Sequence, residues 1–319
     1  MKVKRFIKQN NAVAGVIEAL LLVGLVAIIL SLLQLYYVPK IMEEREAEHI
    51  SLVANQFTHL KSVIEIQSTM GVINEENPNP SNTAYTSISS PITLGNDPLP
   101  YFITIGATGT VNLIDKDDAD DYKIYIQPTP VDFPNGIPLS VIKFKSINAY
   151  YLDGNDVEYI LEGGGIILKQ SDGEVMKVLP AINAYDKTVD TIELYLDIPL
   201  FKGIPGKKFD QSTYNNPDKI SYVRTNYSRN YQDEILLTPG NNGKIYIYTD
   251  YTNAWNNSLV NDTIGVLWEF YDNNDIDVEI DESTTPNRLV ISPDSKNINL
   301  KLTVVEIGVQ IGPGIVQQT

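Results

Sequence analysis

The sequence predicts an α+β protein in which a long N-terminal hydrophobic helix leads into a mainly antiparallel, sandwich-like β-domain. Three observations predict it. From Ala12 to Tyr37 the chain carries one charge, Glu18, and from Ala19 to Val38 it carries none. Beyond Pro39, the apolar residues Ile50, Val53, Phe57, Leu60 and Ile64 recur at alternating spacings of four and three, the period of one helix face. After residue 100 the period changes to two, in YKIYIQ (122–127), VIKFK (141–145), TIELYLDI (191–198), KIYIYTD (244–250) and NLKLTVVEIGVQI (299–311). That alternation is the mark of half-buried strands.

The first eleven residues, MKVKRFIKQNN, hold Lys2, Lys4, Arg5 and Lys8 and no acid. The apolar run behind them reaches twenty uncharged residues, and at about 1.5 Å per residue these span the roughly 30 Å of bilayer hydrocarbon. Lys40 and then Glu43, Glu44, Glu46 and Glu48 follow it. The Lys/Arg bias predicts an N-terminus in the cytoplasm and everything after Lys40 outside, with Tyr36 and Tyr37 in the outer aromatic belt. The run is too long for an ordinary secretory signal, and no Ala-x-Ala cleavage site follows it. Residues 12–70 therefore read as one helix, kinked at Pro39, membrane-embedded in its first half and amphipathic in its second. A carboxylate in hydrocarbon costs roughly 2.5–3.5 kcal/mol at a helix centre, so Glu18 calls for an explanation. It either snorkels to the cytoplasmic interface or pairs with an α-amino group freed by removal of the basic leader.

A short basic leader, an acid near the start of the apolar segment and a long helix before a β-rich domain together resemble type IV pilins. The stretch NNAVAGVIEALLLVG (10–24) resembles the class III signal of archaeal pilin-like proteins. EREAEH (44–49), NQFTHLKS (55–62), INAYYLDGNDVEYILEGGGIILKQSDGEVM (147–176) and INAYDKTVDTIELYL (182–196) are similar to a family of archaeal secreted pilin-like proteins of unknown function. The resemblance covers the first 70 residues and the region from 140 to 200. It implies a prepilin-type peptidase that cuts after Ala12, starting the mature chain at Val13, or after Val13, making Glu18 the fifth residue. It also implies that the partners are copies of this chain or other pilins, with the membrane holding an N-in, C-out precursor before assembly into an extracellular filament. Ala14, Gly15, Ala19, Gly24 and Ala27 would permit close helix approach. Ile50, Val53, Phe57, Leu60 and Ile64 would continue the bundle or carry the chain's own β-domain.

The expected organisation is a leader at 1–12, a helix at 13–70, a Pro/Asn/Ser/Thr-rich connector at 71–100, a β-rich lobe at 101–200, and a second lobe or a continuation of the same domain at 201–319. The tract FKGIPGKKFDQSTYNNPD (201–218) marks the boundary between the last two. DGND, SDGE and PGNNGK read as turns, Gly163–Gly165 as a hairpin or bulge, and 251–260 around Trp255 as a short helix. The nineteen tyrosines suit half-exposed sheet faces. Asn226, Asn256 and Asn261 stand in N-x-[ST] tripeptides on the outer side and are candidate glycan acceptors.

Composition removes most chemistry. There are no cysteines, and His49 and His59 are the only histidines, so thiol catalysis, disulfides and cysteine zinc sites are excluded. The two histidines lie ten residues apart on the helix and point in different directions. A net charge of −16 repels nucleic acid. Asp115–Asp121 (DKDDADD) lacks the EF-hand spacing, GIPGKK (203–208) lacks the P-loop spacing, and both read as solvated turns. Asp275, Asp277, Glu279 and Asp281 alternate as on the wet face of a strand. No catalytic, metal or cofactor set emerges, and the sequence predicts a structural assembly protein rather than an enzyme. The alternative is a monomeric membrane-anchored surface protein that binds an extracellular polymer or ion.

Overall fold

The computed structural model describes residues 3–77, 79, 86–100, 104–115, 121–204, 210–212, 219–240 and 243–312, with side chains from Ala14 onward except at 153, 154 and 211. The N-terminal rod consists of α1 (Val3–Leu32), a π turn (Leu33–Tyr37) and α2 (Val38–Glu76). Pro39 has no N–H to donate and its ring would strike the carbonyl of Leu35 in a regular α-helix. The chain relieves this with one wider turn, in which the Val38 N–H donates to Leu33 O. The rod departs from expectation at both ends. It begins at Val3 rather than 12, and it passes Gly71 to end at Glu76. Gly71 is not a stop signal, because the Tyr227 ring lies so close that a Cβ there would come within 2.1 Å of Tyr227 Cδ2. The true terminator is Asn77, extended at φ −79° and ψ 127°, as the residue before a proline favours.

Among the described residues the strands are, in chain order, β1 (Ile88–Thr93), β2 (Thr108–Ile114), β3 (Lys123–Gln127), β4 (Ile137–Pro138), β5 (Val141–Ile147), β6 (Val157–Glu162), β7 (Gly165–Gln170) and β8 (Gly173–Val178). They continue with β9 (Ala181–Thr188), β10 (Thr191–Gly203), β11 (Asp210–Ser212), β12 (Ile220–Leu237), β13 (Lys244–Tyr248), β14 (Ile276–Asp281), β15 (Arg288–Pro293) and β16 (Asn297–Gly312). They build three sheets, with orders β1-β12-β16-β10-β9, β11-β2-β5-β6-β7-β8 and β14-β15-β13-β3-β4. All pairs are antiparallel except β10 with β16, which run parallel from Thr191↔Asn297 to Gly203↔Val309. The fold is thus α+β with mostly antiparallel sheets.

Two expected boundaries change. The connector at 71–100 contains the last helical turn and β1, whose Pro91 is tolerated because β1 is an edge strand. The tract at 201–218 does not divide the strands into two sets. Two of the three sheets combine strands from both sides of it, and β11 inside it pairs with β2.

The core has two apolar clusters. One lies under α2, where Ile50, Val53, Phe57, Leu60 and Ile64 meet Phe144, Tyr159 and Ile307. The other draws on all three sheets and α3 (Thr252–Val260), around Trp255. Strands β10 and β16 run through both, Leu200 and Val304 belonging to the second cluster and Phe201 and Val305 to the first. The helix expected at 251–260 is present as α3.

The β6–β7 hairpin turns on Gly163 and Gly164, whose φ angles of +54° and +82° are both in the left-handed region. That is the conformation of a two-residue I′ turn. A Cβ on Gly163 would also sit 2.8 Å from Trp255 Cζ2. Gly163→Ala is therefore expected to cost about 1–2 kcal/mol from backbone strain alone, read as a lowered thermal midpoint. An unchanged midpoint would mean the turn is free to relax.

Candidate functional site: the N-terminal helix and its seat

From Ala14 to Leu33 every side chain is exposed, as are Leu35, Tyr36 and Tyr37, with Leu21 at 70% and Leu35 at 79%. This segment belongs to a helix long and apolar enough to cross a membrane. Glu18, Ala14, Gly15, Ala19, Gly24 and Ala27 all lie on it without intramolecular cover. At about 100° per residue the five small residues are distributed around the axis rather than along one stripe. Cβ atoms on Gly15 and Gly24 would meet nothing within 4 Å. The processing candidates Ala12 and Val13 fall within the α1 backbone.

Burial begins at Val38, and from there α2 is seated on the β-domain. The stripe Ile50, Val53, Phe57, Leu60 and Ile64, for which continuing the bundle and carrying the chain's own β-domain were both open, is at most 6% exposed and covered by the chain's own sheets. It carries the domain, which takes it out of the assembly contacts, since its apolar surface is already used within the chain. Phe57 packs on Phe144 and Tyr159, with ring centroids 6.4 and 5.9 Å apart.

Polar side chains complete the seat at both ends of the stripe. Glu46, fully buried, accepts N–H bonds from Ala149 (3.0 Å), Tyr150 (2.8 Å) and Tyr151 (2.7 Å). His49 Nε2 lies 2.9 Å from Thr93 O, and burial lowers its pKa. Gln56 Oε1 accepts from Thr93 N, and Gln67 Nε2 donates to Thr225 O. Tyr227 O–H donates to Glu75 at 2.6 Å. The outer face of α2 carries exposed Leu52, Ile66, Met70 and Ile73, a second apolar set that the first stripe hid. Its spacing of seven through His59 was readable.

His49 is buried and His59 exposed, so they share no site. Asp275 is buried rather than wet, held by Ser295 Oγ at 2.9 Å and Lys296 Nζ at 3.0 Å, whereas Asp277 and Glu279 face solvent. Residues 116–120 of the acidic tract and 205–209 of GIPGKK's surroundings lie outside the described residues. Among the described residues no three His, Cys, Asp or Glu side chains group as a metal site requires. Glu162, at the end of β6, is buried at 1% exposure between Thr249 Oγ1 (2.7 Å) and Trp255 Nε1 (2.8 Å). The candidate glycan acceptors separate too, with Asn226 in β12, Asn256 in α3 and Asn261 at the C-terminal end of α3.

No protein-family model, curated protein or solved structure matches the chain.

Proposed function

We propose that the chain is a pilin-like structural subunit of a cell-surface filament. Its apolar helix is held first in the membrane and then among the helices of neighbouring copies or other pilins, while the acidic β-domain is displayed outside the cell. The observation that carries this reading is the uncovered rod from Ala14 to Tyr37, apolar on every side. Such a helix persists only when something apolar surrounds it. Small residues distributed around its axis suit contact with several neighbours better than with one. Glu18 then supplies the one charge available to pair with a freed α-amino group, an attraction strengthened by low dielectric.

The N-terminal mass of the protein isolated from its own cells tests the reading. A start at Val13 or Ala14 and filaments in electron micrographs are expected, and a retained Met1 with no filaments would overturn it. Glu18→Ala is expected to leave membrane insertion intact and to lower filament yield several-fold. Normal filaments from that variant would remove Glu18 from the mechanism. One observation favours a second reading, a monomeric anchored surface protein that binds an extracellular polymer or ion. The heptad stripe of α2 is spent on its own domain, which leaves α1 as the main uncovered apolar surface, enough for an anchor. An uncut, monodisperse protein supports that alternative.

A further inference from the structure

We infer that Asn261 is the N-glycosylated position of this chain, carrying an oligosaccharide on Nδ2. The inference rests on the outward placement of the β-domain proposed above. Three tripeptides compete, and a glycosyl transferase must reach both the asparagine amide and the hydroxyl two residues later. Asn226 is held in β12, in register with Gly308 of β16. Its Nδ2 donates to Tyr227 O at 3.4 Å, and its Oδ1 lies where a Cβ on Gly308 would come within 2.7 Å. Asn256 lies within α3, and the hydroxyl it depends on, Ser258, is at 0% exposure and donates to Trp255 O at 2.7 Å.

Asn261 differs on each count. It leaves α3 in an extended conformation, φ −74° and ψ 137°. Its Oδ1 accepts from Thr263 N at 2.9 Å and Ile264 N at 3.3 Å. This turn fixes the amide by its oxygen, while Nδ2 donates to no protein acceptor among the described residues. Asp262, Thr263 and Ile264 are exposed, and among the described residues the Thr263 hydroxyl donates only to its neighbour Asp262 Oδ1, at 3.0 Å. Amide nitrogen and hydroxyl are therefore presented together on one surface turn. In the transfer, Nδ2 bonds to the anomeric carbon of a lipid-linked oligosaccharide. The bond from that carbon to the lipid phosphate oxygen breaks, the lipid phosphate departs with the electron pair, and a base on the transferase takes one amide proton.

The test is peptide mapping by mass spectrometry of the full-length protein from its own cells, with protease shaving of intact cells in parallel. Added sugar mass is expected on the Asn261 peptide. It should vanish in Asn261→Gln and persist in Asn226→Gln. Thr263→Ala keeps the backbone N–H that holds the turn and removes the hydroxyl with one solvent-exposed methyl group, so it should abolish the sugar without disturbing the fold. An unmodified Asn261 in a domain that external protease cleaves would overturn the inference while leaving the subunit reading in place. Comparable occupancy at Asn226 or Asn256 would also overturn it, because transfer would then precede folding. A domain that protease cannot reach on intact cells would sink the outward placement, and the inference with it.

Discussion

Glu46→Ala is expected to destabilise the full-length protein in detergent by about 2–4 kcal/mol, a drop in thermal midpoint on the order of 10 °C. The carboxylate is at 0% exposure and accepts three successive backbone N–H groups, of Ala149, Tyr150 and Tyr151. Hydrogen bonds to a charged group contribute roughly 1.5–3 kcal/mol each, and an orphaned buried donor costs a similar amount. Partial rehydration of the loop, where Ala149 is exposed, offsets some of that loss and keeps the expected figure below the full sum. Glu46→Gln is expected to recover less than half, because its amide nitrogen would face donors rather than acceptors. Equal midpoints for wild type and Glu46→Ala would show that the carboxylate does not hold this loop. The contact also joins two stretches far apart in the chain, EREAEH and the start of INAYYLDGND, at the end of the seat nearest the apolar rod. A loosened clamp would let the β-domain swing on the rod, so under the proposed subunit function filament yield should fall together with stability.

Much of the architecture could be read from periodicity alone. The change from spacings of three and four to a spacing of two separated rod from sheets, and the strands containing Tyr125, Phe144, Leu196, Tyr246 and Leu302 fell where alternation put them. Errors arose where a residue's meaning depends on a distant partner. The helix was expected to end at 70, before Gly71, because that residue's reason for being glycine, the Tyr227 ring, is supplied by β12. The segment around Pro91 looked like a connector because proline breaks a central strand but not an edge one. The parallel pairing of β10 with β16 leaves no local mark. Part of the polar seat was legible, however. Glu46, Gln67, Gly71 and Asn74 extend the heptad of Ile50 to Ile64 in both directions, so an acid, two amides and a glycine stood at core positions and announced specific partners. Asn261 was visible only as one of three equivalent tripeptides, since backbone geometry, not sequence, separates them.

The second large effect is a pH dependence set by Glu162. Burial pushes its carboxyl up from 4.5 to about 7, against the hydrogen bonds from Thr249 and Trp255, which favour the charged form, and with help from nearby Asp250 and Glu174. Below about pH 4.5 the group is protonated in folded and unfolded chains alike, so it contributes no difference. Between 4.5 and about 7 the unfolded chain ionises while the folded one holds its proton, and stability falls as pH rises. Above about 7 the penalty is complete, at about 3 kcal/mol for a gap of this size. Glu174 and Asp197 are raised in the same direction, whereas Asp281 is held down to about 2 by Ser283 and Arg288. The whole-protein profile therefore mixes opposite slopes, and the informative quantity is the difference between wild type and Glu162→Gln. Gln keeps an acceptor for Thr249 and Trp255 and cannot ionise, so its stability relative to wild type should improve by about 3 kcal/mol between pH 4.5 and 8. Because Trp255 Nε1 donates directly to this carboxyl, Trp255 fluorescence should titrate near pH 7 in wild type and stay flat in the variant. Parallel stability profiles, with no fluorescence change in either protein, would mean that water reaches Glu162 and that its neighbours, not its burial, govern the charge.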